Sequence, residues 1–97
     1  MNLEEILDRL KAAAPAFRER YRARSLSVFG SMARGDERAD SDVDILVDFE
    51  GKATFDDFMG LKLDLEALLG RPVDLGTPQT IRPELRSRIE RELIHVP

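Results

Sequence analysis

Two runs, Leu26-Ser27-Val28-Phe29-Gly30-Ser31-Met32-Ala33-Arg34-Gly35 and Ser41-Asp42-Val43-Asp44-Ile45-Leu46-Val47, decide how this chain of 97 residues reads. The apolar run to Phe29 predicts a strand, Leu26 to Phe29, that stops at Gly-Ser. A second strand, Asp42 to Phe49, opens with two aspartates one residue apart. Alternate strand residues share a face, so Asp42 and Asp44 point one way and Val43, Ile45 and Val47 the other. Neighbouring carboxylates repel each other and pack poorly, but they suit a hard divalent cation, which prefers oxygen donors and cancels their charge. Glycine at position 30 allows positive φ and close approach of the backbone to a ligand. Ser31 reads as the N-cap of a short helix through Met32, Ala33 and Arg34, a start whose N–H groups can hold phosphate. Together these features predict a nucleoside triphosphate bound through Mg²⁺.

Downstream, Glu50-Gly51-Lys52 reads as a turn. Thr54 caps a helix with Asp57 at its third position, and Gly70 ends it in a left-handed cap. Phe55, Phe58, Met59, Leu61, Leu65, Leu68 and Leu69 give that helix a broad apolar face suited to a core. In Arg71-Pro72-Val73-Asp74-Leu75, Val73 and Leu75 share one strand face and Asp74 takes the other. If this strand joins the same sheet, Asp74 faces the side of Asp42 and Asp44. Pro83 opens a last helix to Ile94, striped by Leu85, Ile89 and Leu93, and His95 beyond it reads as structural or idle. Upstream, Asn2 caps a helix carrying Leu3, Ile6, Leu7 and Leu10. Pro15 breaks or restarts it, and Phe17 and Tyr21 turn inward. Arg18, Arg20, Arg22 and Arg24 read as a solvated helix end.

The ordered set Gly30-Ser31-Met32-Ala33-Arg34-Gly35, then Ser41-Asp42-Val43-Asp44 and three apolar residues, resembles the signature of the polymerase-β-type nucleotidyltransferases. It is most similar to their smallest, MNT-type branch, and the resemblance spans nearly the whole chain. It implies an α+β fold, a small mixed sheet of at least three strands with helices packed on one face, over one domain, residues 1–97. It also implies in-line nucleotidyl transfer assisted by two Mg²⁺ ions, with Mn²⁺ as the alternative. Asp42 and Asp44 would serve both ions. Asp74 matches the family's third acidic residue, serving one ion and accepting the hydroxyl proton. Gly30 and Ser31 would hold the terminal phosphates of ATP, with Arg34 within reach.

Composition narrows the partners. With 42% hydrophobic and 35% charged residues the chain reads as globular, and no apolar run approaches the ~20 residues of a membrane span. The acidic N-terminus does not resemble a signal peptide, and the absence of cysteine fits a cytoplasmic protein. A net charge of −4 argues against direct nucleic-acid binding and demands cations between the carboxylates and any polyphosphate. No residues remain for an acceptor domain. The charged interval 36–40 and the terminal helix are the surfaces left for recognition. The resemblance then implies a separate, helical HEPN-type partner. AMP would pass from ATP to a partner hydroxyl, a tyrosine's, in a toxin–antitoxin pair whose antitoxin is this chain. Transfer to a small-molecule hydroxyl of the aminoglycoside type and a non-catalytic antitoxin acting by contact are the alternatives. Oligomeric state is open.

Overall fold

The computed structural model describes residues 1–35 and 42–96, so the charged interval 36–40 and Ser41 lie outside the described residues. Helix α1 (Leu3–Tyr21) starts where Asn2 Oδ1 accepts the Glu5 amide at 2.9 Å. It does not break at Pro15, which sits inside it. An internal proline removes one helical hydrogen bond. Ile6, Leu10 and Phe17, all buried, anchor the helix on both sides of that gap. At its end Arg22 adopts φ 60°, and its amide bonds back to the Arg18 carbonyl.

Strand β1 (Ala23–Phe29) begins three residues earlier than its apolar run suggests and carries a register shift between Ala23 and Ser25. The short helix α2 (Gly30–Arg34) follows at once. Strand β2 (Val43–Phe49) buries Val43, Ile45 and Val47 and turns Asp44, Leu46 and Asp48 to the other side. Helix α3 (Phe55–Leu69) has the expected start: Thr54 Oγ1 accepts the Asp57 amide at 3.0 Å, and Asp57 Oδ2 accepts the Thr54 amide at 3.2 Å. Gly70 closes it at φ 66°. Strand β3 (Val73–Gly76), helix α4 (Pro83–Glu92) and the two-residue strand β4 (Ile94–His95) complete the described order.

The sheet runs β3-β2-β1-β4. Strand β1 is antiparallel to β2 and β4, whereas β2 and β3 are parallel and joined through α3. Helices α1 and α3 cover the apolar face, burying Ile6, Leu10, Leu61, Leu65 and Leu69 against Val28, Ile45 and Val47. They approach closely at Gly60, where a Cβ would lie 2.8 Å from the Tyr21 ring. Tyr21 donates from there to Asp64 Oδ2 at 2.6 Å. The architecture is α+β with a mixed sheet, as expected.

Helix α4 stands apart. It has no buried residue, and its Ile89 and the capping Leu93 line a groove with Leu46, on the sheet face that carries Asp44. The predicted helix to Ile94 stops at Glu92, because Ile94 and His95 pair with Val28 and Ser27. His95 Nδ1 lies 2.8 Å from the buried Ser27 Oγ and so ties the end of the chain to β1. The arginine run is less idle than a solvated helix end. Arg20 bonds Asp64, Arg24 bonds Asp48, and Arg18 and Arg22 donate to the carbonyls of Arg24 and Lys52.

Candidate active site

Parallel pairing of β2 with β3 sets Asp44 opposite Asp74, and antiparallel pairing of β2 with β1 sets Asp44 opposite Phe29, the residue before Gly30. Neighbouring strands lie ~4.8 Å apart, so this register puts two carboxylates and the turn in one row across the sheet. Two contacts fix the β3 end of that row. The Val73 amide donates to Glu66 Oε2 of α3 at 2.9 Å, and the Val43 amide donates to the Pro72 carbonyl at 3.0 Å. Neither contact is visible in the sequence, although a glutamate near the end of α3, seven residues before Val73, is a place to look for one.

Gly30 closes the row at its other end. Its φ is +72°, and a Cβ there would run into the Asp44 carboxylate, 2.9 Å from Cγ. Glycine is thus required twice, by conformation and by space. Ser31 is not the N-cap: α2 begins at Gly30, its N-cap is Phe29, and no side chain caps it. Ser31 sits instead in the first turn, bordering the same cleft as Gly30 and Asp44. Asp42 lies one residue before β2 rather than in it, and it is exposed. It still acts on the row electrostatically.

The pressure falls on Asp44. Burial, then the charge of Asp74, then that of Asp42 and a hydrogen bond with Asp74 push its carboxyl up to about 6, and Arg34 draws it down. The carboxylates are gathered but not closed up: among the described residues, no three acidic, histidine or cysteine side chains converge to hold a metal ion. The donor set nevertheless fits a hard cation. It is all oxygen, and the crowding that raises Asp44 is what a bound divalent charge would relieve.

Gly30, Ser31, Arg34 and Asp44 form one wall of a cleft of about 270 Å³, and Arg88 and Glu92 of α4 form another. Arg34 leans across this cleft, its Nη1 donating to Glu92 Oε1 at 3.1 Å. A roomier groove of about 490 Å³ runs between α1 and β1 beside Lys11, Pro15, Arg18 and Arg24. Among the described residues that line it there is no carboxylate and no part of the Gly-Ser turn, so size does not locate the chemistry here. Among the described residues no helix is long and apolar enough to cross a membrane.

The fold and its row of residues define a class, and comparison with known proteins agrees. Residues 10–96 match the family model described as nucleotidyltransferase domain. Protein adenylyltransferase MntA of Thermococcus cleftensis is 43% identical over 96 residues, 99% of this chain and 97% of that protein. A solved structure named as a minimal nucleotidyltransferase is 44% identical, with a TM-score of 0.80 over 97% of this chain and 95% of that one. A crystal structure of a toxin–antitoxin with AMP-PNP shares the fold, with TM-score 0.71 and 18% identity over 89% of this chain and 71% of that one. The chain belongs to the nucleotidyltransferase family and is an enzyme of that class. Within the family it stands with the minimal, MNT-type members.

Proposed function

We propose that the chain, acting as a single domain over residues 1–97, transfers AMP from ATP to a tyrosine hydroxyl of a separate helical, HEPN-type partner, as the antitoxin of a toxin–antitoxin pair. The observation that carries the reading is the meeting of Gly30 with Asp44, which brings the Gly-Ser turn beside the Asp44–Asp74 pair. The AMP-PNP in a neighbour of the same fold and the name of the Thermococcus relative support ATP and a protein acceptor.

Asp42, Asp44 and Asp74 would hold Mg²⁺, or Mn²⁺, which when bound neutralises the polyphosphate and acidifies an attacking hydroxyl. The chain's own groups do the rest. Gly30 admits the phosphates to the backbone, and Ser31 offers its hydroxyl and amide to them. Arg34 supplies a cation beside them. Asp74 would accept the proton of an incoming hydroxyl, a role supported by its exposure while Asp44 is half-buried. The open side of the cleft leaves the acceptor to be positioned by the partner's own docking.

The test is mass spectrometry of the partner after incubation with the chain, ATP and Mg²⁺. An added AMP on tyrosine, absent with Asp74→Asn, is expected. An unmodified partner still inhibited by that variant would favour an antitoxin acting by contact. Rapid modification of small hydroxylated compounds without any partner would move the acceptor elsewhere.

A further inference from the structure

Arg34 and Arg88 reach the cleft from different elements, α2 and α4, and both end on one carboxylate. Arg34 Nη1 bonds Glu92 Oε1 at 3.1 Å and Oε2 at 3.3 Å, and Arg88 Nε lies 3.5 Å from Oε1, one helical turn earlier in α4. The Glu92 side chain is only 17% exposed, against 39% for Arg34 and 61% for Arg88. Burial pushes the Glu92 carboxyl up, but the two guanidiniums outweigh it and hold the group below the usual carboxylate range. Glu92 is therefore an anion at neutral pH, placed in a cleft that Gly30, Ser31 and Asp44 also line.

Guanidinium forks bind carboxylates and phosphates with the same planar pattern. A chain of net charge −4 that puts Asp44 in this cleft needs cations there to receive a polyphosphate. Among the described residues lining the cleft, those cations are Arg34 and Arg88, and Glu92 occupies both. We propose that Arg88 is a second phosphate-holding residue, acting beside Arg34, and that Glu92 is the anion both exchange for the terminal phosphates of a nucleoside triphosphate. Glu92 thereby keeps two arginines gathered before the ligand arrives and competes with that ligand when it does. The inference rests on the nucleotide-site reading above and adds a residue from α4 to it.

An anion that competes and a cation that binds must act with opposite signs, and the titration of ATP and AMP in Mg²⁺ reads both. Arg88→Ala should weaken ATP about tenfold, the worth of one charge-assisted hydrogen bond. It should leave AMP unchanged, because AMP lacks the outer phosphates. Most of the Arg88 side chain is in solvent, so the variant should fold. Glu92→Gln should tighten ATP several-fold while lowering the melting temperature of the nucleotide-free protein, a combination that a purely structural Glu92 would not give. Unchanged ATP affinity in Arg88→Ala, alongside weakened binding in Ser31→Ala, overturns the proposal and leaves the nucleotide site standing. Equal loss of AMP and ATP in Arg88→Ala, or weaker ATP binding in Glu92→Gln, also overturns it. If Ser31→Ala, Asp44→Asn and Arg88→Ala all bind ATP as the parent does, the nucleotide site is elsewhere and both readings fall.

Discussion

Asp44 keeps its proton up to about pH 6 in the fold, whereas an unperturbed aspartate loses it near 3.8. Between those values the folded state holds more protons than the unfolded state, so metal-free stability is highest below the lower value and falls as pH rises through 6. Solvent reaches part of this side chain, which reduces the effect to about 1 kcal/mol. Denaturant melts in chelator at pH 4 and pH 7 should show that decline in the parent and a flatter response in Asp44→Asn. A steeper decline in the variant would mean that the aspartate is structural. Gly30→Ala is the opposite kind of change, because it brings a Cβ onto the Asp44 carboxylate at a positive φ. It should cost about 1–3 kcal/mol and abolish transfer, measured by melts and by AMP incorporation. The placing of Asp44 and Gly30 was legible because strand alternation and a break after an apolar run are local patterns, whereas Asp42, read as the first strand residue, lies one position before β2. Glu92 was not: it meets Arg34 across 58 positions, and nothing in α4's charge pattern distinguishes it from Glu84 or Glu90.

At the scale of elements, the Thr54–Asp57 box and Gly70 made both ends of α3 readable, whereas the cap signal at Ser31 misplaced the start of α2 by one residue. Where tertiary packing overrode local preference, the sequence misled. Pro15 predicts a break or a restart, but core contacts on both sides carry α1 through it. The alternation in Ile94-His95-Val96 is too short to stand out from a helix end, and β4 exists only because β1 offers an edge. The face on which α4 lies is likewise not given by its narrow stripe: Ile89 lines one groove with Leu46, and α4 packs against α2. The site depends on β3 being held in register with β2, and Glu66 provides one hold through the Val73 amide. Glu66→Ala should destabilise the protein by about 1–2 kcal/mol in urea titrations. It should depress transfer further than stability alone explains, because Asp74 follows Val73. Loss of stability with full activity would show that β3 keeps its place without Glu66.

For the molecule as a whole, charge decides how ligand binding and stability are linked. The protein is acidic overall, and its proposed site collects Asp42, Asp44 and Asp74; burial first, and then the repelling charges of Asp74 and Asp42, push the Asp44 carboxyl up to about 6. A triphosphate entering without cations adds negative charge to that repulsion, and Arg34 and Arg88 are partly neutralised by Glu92. Asp42, Asp44 and Asp74 would hold a divalent cation there, which would supply the positive charge that offsets both the carboxylates and the phosphates. A ligand that binds only the folded state stabilises it by about 2.7 kcal/mol at a hundred times its Kd. For a domain of this size, 1 kcal/mol moves the melting temperature by roughly 4–8 °C. Saturating ATP with Mg²⁺ should therefore raise the melting temperature by on the order of 10 °C. The same ATP with excess chelator should leave it nearly unchanged. Asp44→Asn should lose most of the Mg²⁺-dependent rise, since it removes the shared member of the carboxylate pair. An equal rise with and without metal would show that the cleft holds nucleotide through its arginines alone, and the aspartates would then need another explanation.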